Sequence, residues 1–472
     1  PKLNLNGKNV LLPPHQKSLF RYLKEGVANV YGCLGGHRAK PRSRVVCTPL
    51  ATEMCEHFGC EIGFDKPVMT GWEPMYNNVK DMVRPHTKID QTLLDHCVSS
   101  FVEDITKGLQ KKHGDKWKAS LCTLSDEAAV NGLPGVRFID ALNKGTSMGH
   151  PWNATKKKFL VSKPSERFPD GVDFVPEVWE RVREIEARYE KGERAYPVFT
   201  GHLKDEPVSH SKVERKKTRL FTGAPVDWSI VCRKHLLTFV ALLQKNKFEF
   251  EAAPGTIAQS KEWTDIYNYL TEHGTEQIVG GDYSSYDKGM IASFVLAAFE
   301  VIKGVLAAAG YNTTDLTYVD CIAMDTAFPV TNVGGDLVEF FGTNPSGHSL
   351  TVVINSLANS LYMRYAFALL NPSKTGCTSF KELVNLITYG DDNGMGVSKT
   401  IPWFNHTAIQ TSLATIGVTY TMADKESVSR PYISINEFSF LKRSWRFEAE
   451  VGMYLCPLEE SSIHKSLTVW VP

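Results

Sequence analysis

The chain has 472 residues, 42% hydrophobic and 22% charged, which is ordinary for a soluble globular protein and long enough for two or three subdomains. Its 53 basic residues against 52 acidic ones exclude a polycation that would bind nucleic acid through net charge alone. The start (Pro1-Lys2-Leu3-Asn4) has no signal-peptide pattern and the ten cysteines are unevenly scattered, so free thiols in a reducing compartment are expected.

In chain order, the first local signal is a basic run at 36–46, with Arg38, Lys40, Arg42 and Arg44 and no acid among them. Cys55, His57 and Cys60 follow closely, but no second ligand pair comes at a suitable distance, and zinc is not expected. Residues 202–219 carry six Lys or Arg against three acids. Two separated basic clusters in a near-neutral chain suggest a channel lined for phosphates, with acids elsewhere binding metal.

Ile278 and Val279 then predict a buried strand, with Asp282 where that strand should end and Asp287 across a turn. The longest apolar stretch, 289–310, is broken by Glu300 and Lys303 and reads as an amphipathic helix from Ile291 onward, not a bilayer span. Next comes a Pro345-Ser346-Gly347 loop opening a long helix whose apolar stripe is Leu350, Val353, Ile354, Leu357 and Leu361. Thr351, Asn355 and Asn359 lie one turn apart on another face, where they would be solvated or would bond a ribose hydroxyl. The glycine suits close approach to a backbone phosphate or sugar.

The strongest signal is Leu386 to Val397, a β-type run, a Gly390-Asp391-Asp392 turn and a Gly-rich return, which predicts a β-hairpin. Adjacent carboxylates at a hairpin tip repel each other unless a divalent cation offsets the repulsion. Asp282 on one strand end and Asp391 on the hairpin would converge on shared metals suited to in-line phosphoryl transfer.

Together these pieces resemble the palm motifs of viral RNA-dependent RNA polymerases. Motif A resembles Asp282 to Asp287, motif B Ser346-Gly347 through Thr351 and Asn355, and motif C Tyr389-Gly390-Asp391-Asp392. Ala423-Asp424-Lys425-Glu426 resembles motif D, and Phe440-Leu441-Lys442-Arg443 resembles motif E. Upstream, Lys204-Asp205-Glu206 with Lys212 to Arg219 resembles motif F, and Thr146 to Trp152 resembles motif G. The style is that of picornaviruses and the related insect dicistro- and iflaviruses, leaning towards the insect group. Departures are Val208, where many relatives are basic, and His348, where they are often smaller.

The resemblance implies an α+β right-hand fold with an antiparallel palm sheet backed by helices. Fingers would take 1–236 and an insertion at 323–343, palm 237–322 and 344–437, and motif E with the start of a thumb 438–472. Because the chain stops about thirty residues beyond motif E, the thumb is expected to be truncated or absent and RNA binding weakened.

By the same resemblance, Asp282 and Asp391 would hold two Mg²⁺ (Mn²⁺ can substitute), with Asp392 as a weaker or outer ligand. Lys204, Lys212, Lys217 and Arg219 would neutralise the triphosphate. Asp287 and Asn355, with Ser346-Gly347 or Thr351, would read the ribose, and Lys425 would protonate the leaving pyrophosphate. Thr146, Ser147, Gly149, Lys442 and Arg443 would contact template and primer RNA. Partners would include NTPs, a genome-linked protein primer and other viral replication proteins, at membrane-associated complexes in the host cytoplasm. The rival readings are a reverse transcriptase, which polar groups at Asp287 and Asn355 disfavour, and an RNA-binding scaffold without turnover.

Overall fold

In a computed structural model of the protein, the residues described are 3–5, 8–10, 18, 20, 28–33, 42–83 and 87–472. Of the first basic run, Arg38 and Lys40 lie outside the described residues, while Arg42 and Arg44 lie within them.

The predicted strand and hairpin meet in a four-stranded antiparallel sheet ordered Val384–Tyr389, Asp392–Val397, Ile278–Tyr283, Tyr420–Thr421. Its centre is built on glycine. Gly280 and Gly394 are cross-strand partners, and a Cβ on either would come within 2.4 Å of the Phe438 ring, which packs on this pair. Gly281 makes the same room for the Tyr420 ring, 2.3 Å from where its Cβ would be. The glycines that weaken a strand by propensity here let two aromatic rings seal it.

Behind this sheet pack the helices Gln91–His113, Ala292–Ala308 and Thr351–Leu370. The last is buried on nearly every face from Val353 to Phe367, so its polar stripe is interior, not solvated. Its Arg364, fully buried, donates to both oxygens of the equally buried Glu251 (2.6 and 3.0 Å) and to Asp104 (2.8 Å). A buried guanidinium is tolerable only with such pairing. Glu251 in turn receives the backbone and side chain of Thr388 on its own carbonyl (2.8 and 2.7 Å), which anchors the outer hairpin strand.

A second, five-stranded sheet is ordered Leu220–Gly223, Val198–Leu203, Val330–Val333, Asp336–Phe340, Ala28–Cys33, with one parallel pairing. The Val330–Phe340 hairpin thus joins strands from the first half of the chain. The expected limits at 236/237 and 322/323 fall inside the helices Val226–Lys245 and Thr313–Ala327. After Arg443, a hairpin (Arg446–Glu448, Met453–Leu455) leads to the helix Glu460–Thr468 and the strand Val469–Trp470, which pairs with Val46–Cys47. Among the described residues no helix is long and apolar enough to cross a membrane.

Candidate active site

The hairpin turn consists of Gly390 and Asp391, flanked by the cross-strand pair Tyr389 and Asp392. Gly390 sits at φ 65°, where a side chain would be strained. The central helix grips this turn. Ser356 Oγ accepts from the Gly390 amide (2.9 Å), and Asn359 Nδ2 donates to the carbonyls of Gly390 (3.0 Å) and Asp391 (3.2 Å). Asn359 Oδ1 accepts from the Tyr283 hydroxyl (2.8 Å), tying the turn to the strand that bears Asp282. Asn393 Nδ2 adds a bond to the Asp391 carbonyl (3.3 Å).

The two adjacent carboxylates diverge. Asp391 lines the main cavity, while Asp392, first residue of the returning strand, accepts from the Leu441 amide on Oδ2 (2.6 Å). Burial in the cavity wall raises the pKa of Asp391, and the Asp282 carboxylate adds to the rise. Asp392 is pushed up to about 7, first by burial and then by Asp391 and Asp282, against the Leu441 hydrogen bond.

Asp282 stands one residue past Gly281, which faces Asn393, so Asp282 and Asp391 occupy neighbouring strand ends. Lys425 Nζ pairs with Asp282 Oδ2 at 2.8 Å. Among the described residues no group of three or more His, Cys, Asp or Glu encloses a metal position. Two oxygen-donor carboxylates, of which Asp282 raises the cost of ionising Asp391, nonetheless fit Mg²⁺, which characteristically takes one or two carboxylates and completes its shell with water and substrate phosphate.

Asp287 accepts from Asn355 Nδ2 (2.5 Å), and Asn355 Oδ1 accepts from Asn344 Nδ2 (2.7 Å). Burial first, then the Asp391 charge, pushes Asp287 up to about 6. Ser346 Oγ accepts from the Thr222 amide (3.1 Å) and faces the cavity. Thr351 is directed elsewhere: its hydroxyl donates to the Pro345 and His348 carbonyls (2.8 and 3.0 Å), bracing the loop. Gly347 does make a close approach, but to protein. A Cβ there would fall 1.6 Å from the Thr222 carbonyl oxygen, so glycine is what lets the loop abut the Leu220–Gly223 strand. His348 is buried edge-on to Trp228, ring centroids 5.3 Å apart.

Facing these groups across a cavity of about 1210 Å³ are basic residues from distant segments: Arg42, Arg44, Lys156, Lys204, Arg219 and Lys288, with Lys425 beside the carboxylates. Glu206 accepts from Arg219 at 2.5 and 3.0 Å and pairs with Lys204 at 3.0 Å. Lys212 has its pKa lowered, first by burial and then by Lys425 and Arg219. Lys217 is exposed and, like Lys212, does not line the cavity.

Thr146, Ser147 and Gly149 line the other end. Lys156, almost wholly buried, donates to the Ser147 carbonyl (2.9 Å) and to Thr146 Oγ1. Burial, then the charge of Arg233, lowers Lys156 to about 8. Lys442 is exposed, whereas Arg443 Nη1 donates to the Cys456 carbonyl (2.8 Å) and is committed to the following hairpin.

Sequence reasoning missed Asn359 and Ser356 as holders of the turn, and Lys156 as the brace of the 146–149 segment. Asn359 carried a signal in its one-turn spacing from Asn355; Lys156 carried none.

The family model described as viral RNA-dependent RNA polymerase matches residues 65–469. The chain is 28% identical over 365 residues to the replicase polyprotein of Cricket paralysis virus, covering 73% of this chain and 20% of that one. It is 30% identical over 414 residues to the RNA1 polyprotein of Arabis mosaic virus, covering 85% and 17%. The chain therefore spans about a fifth of the length of these curated relatives. In structure it is similar to a Sicinivirus 3Dpol RNA dependent RNA polymerase, with a TM-score of 0.75 at 18% identity over 93% of this chain and 86% of the other. That likeness carries the right-hand fold, and the family match sets the reverse-transcriptase reading aside. The chain belongs to the viral RNA-dependent RNA polymerase family.

Proposed function

We propose that the chain adds ribonucleotides to an RNA 3′-hydroxyl under the direction of an RNA template, copying the genome of a positive-strand RNA virus. The observation that carries this reading is the single cavity into which Asp391, Asp287, Ser346, Arg219, Lys204 and Lys425 all open. Carboxylates at one wall and cations at the other suit a substrate whose phosphates must meet both.

Two divalent cations, Mg²⁺ or Mn²⁺, would be held by Asp282 and Asp391 and would supply activation of the hydroxyl and neutralisation of phosphate charge. Asp392 supports that site from outside the cavity. Lys204 and Arg219 hold the triphosphate, Arg219 as the bidentate partner, with Lys212 and Lys217 adding positive field from outside the lining. Asp287, kept in place by Asn355, accepts from the ribose 2′-hydroxyl beside Ser346. Lys425 delivers a proton to the departing pyrophosphate. Thr146, Ser147 and Gly149 guide the template, and Lys442 contacts the product backbone.

On this reading fingers would take 1–236 with 323–343, palm 237–322 with 344–437, and motif E with the start of a thumb 438–472, the limits at 236/237 and 322/323 being crossed by the helices Val226–Lys245 and Thr313–Ala327. The polyprotein context of the relatives supports further viral replication proteins as partners, with a genome-linked protein as primer at cytoplasmic membrane complexes.

The test is primer extension on a homopolymeric RNA template with Mg²⁺. Asp391→Ala is expected to lose incorporation while RNA binding persists, since basic residues elsewhere carry binding. Near-normal extension by this variant would refute the assignment, and RNA binding without any extension by the unsubstituted chain would favour the scaffold reading.

A further inference from the structure

The Phe440–Arg443 turn is built against the preferences of its own residues. Phe440 and Arg443 exchange backbone hydrogen bonds (2.9 and 3.0 Å), and between them Leu441 and Lys442 have φ of 53° and 58°. Two successive left-handed residues make the tight turn that asparagine and glycine ordinarily supply. Neither leucine nor lysine has a short polar side chain to favour that conformation locally, so surrounding structure must hold it.

Three contacts do so. The Leu441 side chain packs on the cluster containing Trp263, Phe438 and Trp445. The Lys442 carbonyl accepts from the Glu459 amide (2.9 Å). The third contact comes from the catalytic hairpin, where Asp392 Oδ2 accepts from the Leu441 amide at 2.6 Å. At 2.6 Å it is a short bond to a backbone amide, made by an oxygen that accepts whether or not the carboxyl is ionised. It joins the strand that follows Asp391 directly to the turn that presents the exposed Lys442.

We propose that Asp392 is a positioning residue whose carboxylate holds the Leu441–Lys442 turn in its left-handed form and thereby aims Lys442 at the product RNA backbone. The proposal rests on the reading of Lys442 as an RNA contact. It gives the second carboxylate of the Asp391-Asp392 pair a task distinct from that of the first. The grip on the product strand is fixed relative to the reacting end because one hairpin carries both constraints, Asp391 in its turn and Asp392 at the start of its returning strand.

The test measures dissociation of a fluorescent primer–template RNA from the full chain in buffer containing EDTA, where any metal ligation by Asp392 is silent. Asp392→Ala is expected to dissociate roughly tenfold faster, the scale of leaving one buried amide donor without its acceptor. Asp392→Asn keeps an acceptor oxygen and is expected to stay within about twofold of the unsubstituted chain. Lys442→Ala should also dissociate faster, and the double variant should be no worse than Lys442→Ala, because one effect acts through the other. If Lys442→Ala weakens binding and Asp392→Ala does not, the pin is refuted while the reading of Lys442 stands. If Lys442→Ala leaves dissociation unchanged, that reading falls and the proposal with it. Additive effects in the double variant, or Asp392→Asn behaving like Asp392→Ala, would likewise overturn the proposal.

Discussion

Asp287 is a carboxylate kept where its charge is disfavoured, with burial and the Asp391 charge raising its pKa to about 6 against the pull of the Asn355 amide. Above that pH it is a charged acceptor only, able to take a strong hydrogen bond from a ribose 2′-hydroxyl; below it, the added proton makes one oxygen a donor and leaves the other a weaker, neutral acceptor. Sites built to bond a hydroxyl reject the analogue lacking it strongly, because the buried partners are left unpaired. The kcat/KM ratio of rNTP over dNTP should therefore fall as pH drops from 7.5 to 5.5, with a midpoint near 6. Using the ratio cancels titrations that affect both substrates alike. Asp287→Ala should give a low ratio that is flat with pH, and a flat, high ratio in the unsubstituted chain would remove Asp287 from the gate. The residue type and its distance from Asp282 were legible in the sequence. Its raised pKa was not, because it depends on a helix and a hairpin supplied from 68 and 104 positions further along, at Asn355 and Asp391.

The central helix Thr351–Leu370 shows what periodicity tells and what it omits. Its apolar stripe and its one-turn ladder of Thr351, Asn355 and Asn359 were both readable, but on a helix buried on nearly every face from Val353 to Phe367 the ladder turns towards protein. Each rung instead holds a different functional piece: the Pro345 loop, Asp287, and the Gly390-Asp391 turn. The hairpin itself was predicted with Asp391 and Asp392 together at the tip. The two-residue turn places Asp392 on the strand instead, and so sends the two side chains to different neighbours.

If the grip of Asn359 on the turn sets the position of Asp391, replacing it by leucine of similar size leaves the Gly390 carbonyl and the Tyr283 hydroxyl without this partner and the Asp391 carbonyl with the longer Asn393 bond. Such unsatisfied buried groups cost about 1–3 kcal/mol each. Asn359→Leu is expected to lower single-turnover incorporation at saturating NTP by at least roughly tenfold, while the apparent NTP affinity changes little. Asn359→Asp, which turns an acceptor oxygen towards the same carbonyls, should be worse. Incorporation by Asn359→Leu at the unsubstituted rate would show that the turn needs no such support.

Across the whole molecule, the order of the motifs was readable because each has its own local pattern, whereas the long-range strand pairings have none. The Asp336–Phe340 strand pairs with Ala28–Cys33, and Val469–Trp470 pairs with Val46–Cys47, between segments hundreds of residues apart. The same holds for charge. A chain with net charge +1 nevertheless concentrates Arg42, Arg44, Lys156, Lys204, Arg219, Lys288 and Lys425 on one cavity where, among the described residues, the acids are Asp205, Asp287 and Asp391. RNA affinity should then come from this wall and depend on salt, since each phosphate neutralised on a single strand contributes about −0.7 to the slope of log K against log salt. Arg42 and Arg44 are exposed cations at the rim, the latter only 3.8 Å from a partial partner in Asp205, and neither touches the carboxylates. Replacing both by alanine should flatten the slope by up to about 1.4 while leaving single-turnover chemistry at saturating RNA intact. Lys107→Ala removes an equally exposed cation on the Gln91–His113 helix, outside the cavity, and should leave the slope as it was. Fluorescence titrations of single-stranded RNA across a salt series measure both. An unchanged slope in the double variant, or an equal change in Lys107→Ala, would mean that RNA is held by the general surface and not by this wall.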